Sequence, residues 1–270
     1  MRTIAVTGSR SGIGAAAARM LREAGHKVIG VDLRDADINV DLSTVEGRCA
    51  AIEGVRRLAD GELNGLIACA GVGSAGRNDR AILKVNYFGT ADLLVSLRAD
   101  LAQSHAPAAV VFASWAMLRP GRLDTVVQAC LDFDEARALR EIEGAPPSDD
   151  PRRVYATSKY ALALLARRLA PAPQWAGQGI TLNIIAPALI RTPMTAPFLA
   201  TAAGMQAIMK DVPSPMPGIA EPEECADIAV YLASGAARRV TGQVFYVDGG
   251  LEALRRPDDT LQSLPLERWI

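Results

Sequence analysis

The sequence predicts an α/β protein built on a doubly wound parallel sheet. Short apolar runs alternate with helical segments along most of the chain, which is typical of strands joined by crossover helices. The apolar runs are continuous, as expected for strands that are covered on both faces. The chain of 270 residues is long enough for one sizeable core and shows no repeat and no linker. We therefore expect residues 1–270 to form a single domain.

Six apolar runs and one shorter candidate are assigned to strands. Taken in chain order, they are TIAVTG from Thr3, KVIGVD from Lys27, the shorter ADINVD from Ala36, GLIACAG from Gly65, AAVVFAS from Ala108, ITLNIIAP from Ile180 and QVFYVDGG from Gln243. The segment after the first run carries an apolar stripe at helical spacing. This stripe consists of Ile13, Ala17, Met20, Leu21 and Ala24.

Residues 115–150 depart from this rhythm. They contain a helical stretch from about Asp124 to Glu143, after which Gly144 and the prolines at 146–147 end the helix. One face of this stretch is apolar, as expected for a helix that buries one side. The apolar positions are Val127, Cys130, Leu131, Ala138 and Ile142.

Residues 188–220 form the second departure. They hold five prolines, and we expect a long irregular segment that acts as a lid or binding loop. The four methionines of this segment are expected either to line a plastic apolar site or to belong to the ordinary core. They are Met194, Met205, Met209 and Met216.

Composition excludes several classes of protein. The formal net charge of −1 gives no basic field that would attract nucleic acid or an anionic membrane. No apolar run approaches the ~20 residues that span a bilayer, and Met1 leads directly into a strand without a signal peptide. The 4 cysteines have no Cys-x-x-Cys spacing, which favours free thiols and a cytoplasmic location. With 2 histidines, neither a His-rich metal site nor a Ser-His-Asp hydrolase is favoured, so no metal is expected.

A glycine-rich turn, TGSRSGIG, joins the first strand to the first helix. Glycines permit a tight turn and let the backbone approach a pyrophosphate, while the helix N-terminus presents free N–H groups to the phosphates. A plain strand-turn-helix connection is the alternative, but the position directly after the first strand favours a nucleotide. The cofactor-binding residues expected in this turn are Gly8, Arg10, Ser11, Gly12, Ile13 and Gly14.

Asp32 ends the second strand, 18 residues beyond Gly14. A carboxylate at about this distance hydrogen-bonds the adenosine ribose of NAD, and it would repel the 2′-phosphate of NADP. Arg10 and Arg34 are the alternative signal, because either guanidinium pairs readily with a phosphate. The balance predicts NAD as the cofactor.

Tyr155 and Lys159 stand four residues apart in the segment VYATSKY. On a helix they share a face, so the phenol and the ammonium can meet, although a solvated surface pair is the alternative. Asp149 or Asp150 is expected to cap this helix, with Pro151 at its first position.

Six motifs occur in the order found in a known family. They are TGSRSGIG, the ACAG of Ala68–Gly71, the NYFG of Asn86–Gly89, Ser114 after VVFA, YATSK from Tyr155, and APALIRTPM from Ala186. The chain resembles the short-chain dehydrogenase/reductase family over nearly its whole length, and this resemblance implies a Rossmann-type domain. Two positions depart from the family pattern: ACAG stands where Asn-Asn-Ala-Gly is usual, and Ala188 replaces a usual glycine.

The resemblance implies a catalytic set of Asn86, Ser114, Tyr155 and Lys159. Tyr155 would exchange a proton with the substrate oxygen while hydride moves to or from the nicotinamide. A free tyrosine has a pKa of about 10, so action near pH 8 requires a lowering, which the Lys159 ammonium and the oxidised nicotinamide would both favour. Ser114 would hydrogen-bond the substrate oxygen, Lys159 would also hold the ribose hydroxyls, and Asn86 would hold a water in the proton relay.

The resemblance also implies further cofactor contacts. Asp41 and Leu42 match an adenine-binding pair, although Asp41 is equally well explained as a turn or cap residue ahead of Ser43. Gly71 would line the path to the ribose. Ile190 and Thr192 would hold the nicotinamide carboxamide.

Ser114 and Tyr155 lie 41 positions apart, farther than in most members of the family, so residues 115–150 are an insertion before the catalytic tyrosine. The resemblance implies a homodimer, with a tetramer as the alternative. The insertion would lie at the dimer interface or border the active site, or else form a solvated flap. The tail from Leu251 to Ile270 would pack over the site or across a dimer.

These observations predict an NAD-dependent oxidoreductase that interconverts a secondary alcohol and a ketone. By the same resemblance, a hydroxysteroid or another hydrophobic carbonyl compound is the expected substrate. The second enzymatic hypothesis is that the substrate is a small non-steroid ketone or alcohol. A non-catalytic NAD-binding regulator is the alternative from another class of protein.

Overall fold

The computed structural model describes residues 1–76 and 78–259. Its centre is a seven-stranded sheet in which every neighbouring pair of strands is parallel. The strand order is β3-β2-β1-β4-β5-β6-β7. The strands are β1 (Thr3–Thr7), β2 (Lys27–Asp32), β3 (Ile38–Asn39), β4 (Gly65–Ala68), β5 (Ala108–Phe112), β6 (Thr181–Pro187) and β7 (Val244–Val247).

Helices cover both faces of this sheet. They are α1 (Gly12–Glu23), α2 (Val45–Ala59), α3 (Asp79–Leu83), α4 (Thr90–Ser96), α5 (Arg98–Leu101), α6 (Asp124–Leu131), α7 (Glu135–Glu143), α8 (Arg153–Leu169), α9 (Ala196–Leu199), α10 (Ala202–Asp211), α11 (Pro222–Ala233) and α12 (Leu251–Arg255). A π-helical turn, Lys84–Gly89, joins α3 to α4. Short 3₁₀ turns occupy Ser74–Gly76, Trp115–Leu118 and Ala176–Gln178.

The four central strands are buried along their whole length, which explains why their sequences are continuously apolar. One face packs against α1 and α11 through residues such as Leu21 and Ala229. The opposite face packs against α2, α4 and α8 through residues such as Val55, Leu94 and Leu162. All seven predicted strands are present, and the predicted fold class is confirmed.

The strand order places the binding crevice. The chain runs outward from β1 to β2 and β3, then returns to the other side of β1 at β4. Helices on the two sides of this reversal cover opposite faces, so a crevice opens between the carboxyl ends of β1 and β4. The glycine turn after β1 and the ACAG segment after β4 both lie there.

The insertion contains two helices, so the prediction of one helix from Asp124 to Glu143 is wrong. The helix is interrupted between α6 and α7, where Phe133 has a left-handed φ of 57°. The Asp134 carboxylate then accepts a hydrogen bond from Arg137 N at 2.8 Å, which caps a new helix. Val126 and Cys130 of α6 are fully buried, and Ala138 of α7 is fully buried too. The insertion is therefore packed on the domain, and the solvated-flap alternative is wrong.

Two helix boundaries also differ from prediction. Helix α8 begins at Arg153 after Arg152, so Pro151 is not its first residue and no side chain caps it. The Asp150 carboxylate instead accepts a hydrogen bond from Arg152 N at 3.0 Å in the preceding turn. At the end of α1, Ala24 is an exposed cap position and does not belong to the buried stripe.

The 188–220 segment is partly helical rather than irregular throughout. The Thr201 hydroxyl accepts a hydrogen bond from Gly204 N at 3.0 Å and starts α10, which runs to Asp211. None of the four methionines is buried, so their assignment to the ordinary core is wrong. In the predicted tail, Leu254 is exposed, and residues 260–270 lie outside the described part of the chain.

Candidate active site

A cavity of about 490 Å³ runs along the carboxyl ends of β1, β2, β4 and β5, and we call it the cofactor cavity. It extends from Asp32 and Leu42 at one end to Tyr155 and Thr195 at the other. Arg10, Gly14 and Asn86 are predicted site residues that do not line it. The predicted residues that do line it are Gly8, Ser11, Gly12, Ile13, Asp32, Asp41, Leu42, Gly71, Ser114, Tyr155, Lys159, Ile190 and Thr192.

The glycine turn is close-packed against the neighbouring strand. Gly8 has a φ of 68°, and a Cβ added there would lie 2.9 Å from Ala70 N. A Cβ at Gly14 would lie 2.2 Å from the Gly8 carbonyl oxygen. Gly8 thus lets the turn approach β4, and Gly14 lets the helix approach the turn, although Gly14 itself does not face the cavity.

The Asp32 carboxylate is fixed at the end of the cofactor cavity by two backbone donors. Arg10 N donates to one of its oxygens at 2.9 Å, and Leu33 N donates to the other at 2.7 Å. The Arg10 guanidinium turns away and pairs with Asp35 at 3.2 Å. The prediction that Arg10 lines the cofactor site is therefore wrong for its side chain, since it acts through its backbone amide.

Asp41 is a turn residue that also lines the cofactor cavity, and its contact with adenine stays a prediction. Its carboxylate accepts a hydrogen bond from Ser43 N at 2.8 Å, which makes it a turn residue ahead of α2. It also lines the cofactor cavity beside Leu42. The turn geometry thus holds the Asp41–Leu42 pair at the cavity wall.

Tyr155 and Lys159 lie on the same face of α8, as their spacing predicts. The Lys159 Nζ lies 5.9 Å from the centre of the Tyr155 ring and donates a hydrogen bond to the Phe112 carbonyl at 2.8 Å. Phe112 ends β5, and Ser114 follows two residues later, with its hydroxyl 3.3 Å from the Pro187 carbonyl. The ends of β5, β6 and α8 therefore bring Ser114, Tyr155 and Lys159 together.

Burial controls the protonation of this group. Desolvation raises the pKa of Tyr155, and the neighbouring Ser114 hydroxyl opposes that rise. Desolvation also lowers the pKa of the Lys159 ammonium to about 8. The predicted lowering of the Tyr155 pKa is therefore wrong for the protein chain alone, because desolvation of the phenolate outweighs the favourable contacts.

Asn86 lies behind the cavity wall. Its amide accepts a hydrogen bond from Val72 N at 2.7 Å and donates to the Val72 carbonyl at 3.0 Å and to Ser158 Oγ at 3.4 Å. A Cβ at Gly71 would lie 3.2 Å from Asn86 Oδ1 and 3.5 Å from Lys159 Nζ. Asn86 thus ties the Gly71–Val72 segment to α8.

Two residues after β6 line the site: Thr195, which sequence reasoning missed, and Met194, one of the four methionines expected to line an apolar site. The Thr195 hydroxyl donates to the Ile190 carbonyl and accepts from Thr192 N at 3.0 Å, which folds residues 190–195 into a compact turn. Met194 lies against Gly73, whose added Cβ would be 2.7 Å from Met194 Cγ. The Thr192-x-x-Thr195 spacing was an available signal for this turn, whereas nothing in the sequence indicated the direction of Met194.

The two departures from the family pattern are accommodated locally. Ala70 N donates to Thr7 Oγ1 at 3.0 Å, so β1 holds the ACAG segment in place. Burial raises the pKa of the Cys69 thiol to about 12, which keeps it protonated. Ala188 has no positive φ, and its N–H donates to the Val247 carbonyl at 3.1 Å, so glycine is not required there.

A second cavity, of about 100 Å³, adjoins the cofactor cavity, and we call it the substrate cavity. Ser114, Tyr155 and Met194 line both cavities. The rest of its lining comes from residues 73–74, the start of the insertion, the turn before α8 and residues 188–212, including Gly73, Trp115, Arg119, Arg152, Leu189, Phe198, Ile208, Asp211 and Val212. The insertion therefore borders the site at its start, and Arg152 lines the cavity two residues after the insertion ends.

Residues 1–76 and 78–259 contain neither a cluster of metal ligands nor a membrane-spanning helix. No three or more His, Cys, Asp or Glu side chains in this part of the chain are grouped so that they could hold a metal ion. None of the described helices has the length and apolar character needed to cross a membrane.

Known protein families and relatives similar to this chain are mostly dehydrogenases and reductases. Residues 4–185 match the NAD dependent epimerase/dehydratase family, and residues 145–252 match the family described as enoyl-(acyl carrier protein) reductase. The chain is 37% identical to 3-alpha-hydroxysteroid dehydrogenase/carbonyl reductase of Comamonas testosteroni, over 95% of this chain and 99% of that protein. It is 28% identical to galactitol 2-dehydrogenase of Rhizobium johnstonii, over 91% of this chain and 93% of that protein.

Solved structures of dehydrogenases are also similar to this chain. The 3-alpha-hydroxysteroid dehydrogenase of Pseudomonas sp. B-0831, complexed with NADH, superposes with a TM-score of 0.87 and 41% identity, covering 94% of this chain and 98% of that one. A gluconate 5-dehydrogenase from Beutenbergia cavernae, described as putative, superposes with a TM-score of 0.71 and 28% identity, covering 93% and 97%. The ordered motifs, the parallel sheet and these relatives establish that the chain belongs to the short-chain dehydrogenase/reductase family.

Proposed function

We propose that this protein is an NAD-dependent oxidoreductase that interconverts a secondary alcohol and a ketone, with a hydroxysteroid or a comparable hydrophobic carbonyl compound as its substrate class. The observation that carries the proposal is the position of Ser114 and Tyr155, whose side chains line both the cofactor cavity and the substrate cavity. A proton can therefore be exchanged at the point where the two ligands would meet. The named activities of the relatives support the substrate class.

The residues of the cofactor cavity fit a dinucleotide. Its volume of about 490 Å³ falls in the range of small-molecule sites, and it lies at the reversal of strand order where dinucleotides bind. Gly8 and Gly12 would hold the pyrophosphate at the start of α1, and the Asp32 carboxylate would accept from the adenosine ribose hydroxyls. Asp41 and Leu42 would flank the adenine.

Other residues would hold the nicotinamide half. Lys159 would bind its ribose hydroxyls, and Ile190 and Thr192 would hold its carboxamide. When bound, NAD supplies the hydride acceptor or donor and, in its oxidised form, a positive charge beside the catalytic residues.

Tyr155 is the proposed general acid and base. In alcohol oxidation the phenolate takes the proton of the substrate hydroxyl, and in ketone reduction the phenol returns it to the carbonyl oxygen. Ser114 lies beside this phenol and would hydrogen-bond the same substrate oxygen. Since burial raises the pKa of Tyr155 in the chain alone, the oxidised cofactor must supply the charge that favours the phenolate.

Asn86 has a positioning role in this proposal. Because its amide is engaged by Val72 and Ser158, it holds the Gly71 segment against α8 beside Lys159. A water held near Asn86 as part of a proton relay stays a prediction.

A small non-steroid ketone or alcohol is a second candidate substrate. The substrate cavity of about 100 Å³ favours it, because sites for drug-sized ligands occupy roughly 300–1,000 Å³. A panel of steroids and small alcohols, assayed with NAD by the absorbance of the reduced cofactor, separates the two classes.

Replacement of Tyr155 by phenylalanine tests the oxidoreductase proposal. Tyr155→Phe should lower kcat by about 10²–10⁴-fold, because the proton donor and acceptor is lost, while NAD affinity is retained. Tyr160→Phe is the matched control, since Tyr160 lies on the same helix and outside both cavities. Equal activity of the two variants would exclude Tyr155 as the general acid and base. NAD binding without any turnover by the wild type would favour a non-catalytic NAD-binding regulator.

A homodimer and a cytoplasmic location belong to the same proposal. The homodimer rests on the family resemblance, with a tetramer as the alternative, and sedimentation equilibrium distinguishes the two. The cytoplasmic location rests on the 4 cysteines, all of which are free.

A further inference from the structure

A third cavity, of about 350 Å³, lies beyond the substrate cavity, and we call it the distal cavity. It is formed by the turn that follows Ser114, the end of α10 and the end of α12, and Leu118, Lys210 and Arg255 are among its lining residues. The substrate cavity alone is well below the roughly 300–1,000 Å³ of sites for drug-sized ligands. The substrate and distal cavities together fall within that range.

Trp115, Arg119 and Asp211 line both of these cavities and form the partition between them. The Arg119 guanidinium donates to the two Asp211 carboxylate oxygens at 2.9 and 3.1 Å, and to Asp150 at 3.2 Å. Arg152 also pairs with Asp211. Rotation of the Arg119 and Asp211 side chains would join the two cavities without movement of a strand or helix, whereas the buried Trp115 forms a fixed part of the wall.

The ion pairs of the partition are accessible to water. The Arg119 and Asp211 side chains are 19% and 28% exposed. Because Arg119 also pairs with Asp150 and Asp211 also pairs with Arg152, each of the two charges keeps a partner when a substrate separates them.

Resting on the oxidoreductase function proposed above, we infer that the distal cavity is a second substrate subsite, reached when the Arg119 and Asp211 side chains separate. It takes the far end of an elongated, mostly apolar alcohol or ketone whose reacting carbon lies at Tyr155. The Arg119–Asp211 pair then determines which substrate lengths are accepted.

The lining of the distal cavity indicates what the far end of this substrate carries. The Trp115 side chain is 8% exposed, and its indole N–H is buried without a hydrogen-bond partner in the part of the chain that the structure describes. Lys210 and Arg255 also line this cavity, and neither is in an ion pair within residues 1–76 and 78–259. All three groups are donors, so the distal subsite suits a ligand whose far end bears a hydrogen-bond-accepting oxygen.

Two variants with opposite effects test this inference. Each is assayed with NAD on cyclohexanol, which has one ring, and on a four-ring 3-hydroxysteroid, which has the same reacting group. Leu118→Trp fills the distal cavity and should lower the steroid-to-cyclohexanol ratio of kcat/KM by about tenfold. Asp211→Ala opens the partition and should raise that ratio by about threefold.

Asp132→Ala is the matched control, because it removes an ion pair with Arg137 elsewhere on the insertion, and its ratio should stay within about twofold of the wild type. Circular dichroism and NAD binding report whether each variant is folded, and Asp211→Ala remains decisive if Leu118→Trp does not fold. Wild-type turnover combined with unchanged ratios in the folded variants would overturn the distal subsite alone. Absence of turnover of any substrate class by the wild type would overturn the oxidoreductase proposal as well.

Discussion

The cofactor cavity and the substrate cavity share Ser114 and Tyr155, yet different contacts build them. The cofactor cavity is held by backbone: Gly8 packs on β4, and the Asp32 carboxylate accepts two backbone N–H groups. The substrate cavity is closed by side-chain ion pairs between distant segments, such as Arg119 with Asp211, 92 positions apart.

This difference separates a fixed half of the site from an adjustable one. Backbone contacts at strand ends change little when a surface side chain is replaced, so the cofactor half is expected to tolerate substitution around it. Side-chain ion pairs are individually weak and can rearrange. Substrate choice should therefore evolve on the substrate side, around the Arg119–Asp211 pair.

The largest expected effect concerns Lys159, which lies in the fixed half. In the unfolded chain a lysine has a pKa of about 10.5, whereas burial in the folded protein lowers the pKa of Lys159 to about 8. Between these values the unfolded state binds more protons at this site, so Lys159 itself contributes a rise in the free energy of unfolding from pH 8 towards 10. The buried thiols, such as that of Cys69, contribute in the opposite direction above about pH 9, so the effect is read from the difference between the wild type and a Lys159 variant. Lys159→Met should remove this contribution, which amounts to about 2 kcal/mol between pH 7.5 and pH 10.

Urea unfolding at pH 7.5 and pH 10 measures this effect for the wild type and the variant in the absence of NAD. Lys27→Met, at an exposed lysine that bonds the Leu58 carbonyl, is the control and should keep the contribution of Lys159. The upper limit is pH 10 because the raised pKa of Tyr155 works in the opposite direction above that value. An identical pH dependence in Lys159→Met and the wild type would show that the ammonium is not desolvated in the fold.

The sequence predicted the fixed half well. The seven strands, the glycine turn and the facing of Tyr155 and Lys159 follow from apolar continuity, glycine spacing and helical periodicity, which are local properties. They place Tyr155, Lys159 and Asp32 at the cavity that the structure shows. The catalytic and binding roles of these residues stay predictions.

The sequence predicted the adjustable half poorly, since its features depend on tertiary contacts. The break at Phe133 arises from one left-handed residue followed by a capping aspartate, within a run whose apolar spacing favours a continuous helix. The pairing of Arg119 with Asp211 depends on how the insertion packs against α10. The rise in the Tyr155 pKa depends on burial, which periodicity does not measure.

Asp32 lies at the end of the cofactor cavity that would hold the adenosine ribose. Asp32→Ala should weaken NAD binding and reduce the preference for NAD over NADP by about tenfold, because a carboxylate that would repel the 2′-phosphate is removed. Fluorescence titration with both reduced cofactors measures the two affinities. Asp35→Ala is the comparison variant: it frees Arg10 but leaves the Asp32 carboxylate in place, so NAD affinity should persist. Equal NAD affinity in Asp32→Ala and the wild type would contradict the assigned contact.

The smallest expected effect concerns whether the insertion unfolds together with the sheet. Asp134→Ala removes the cap of α7 and should lower the free energy of unfolding by about 1 kcal/mol. Asp132→Ala, two residues away, removes an exposed ion pair with Arg137 and an exposed hydrogen bond from Gln128, and should change it by less than about 0.5 kcal/mol. Because Val126 and Cys130 are buried against the domain, the loss should appear in the global urea transition. A loss confined to faster hydrogen exchange in residues 124–143 would mean that the insertion opens independently, and that the substrate side is adjustable through whole helices as well as through ion pairs.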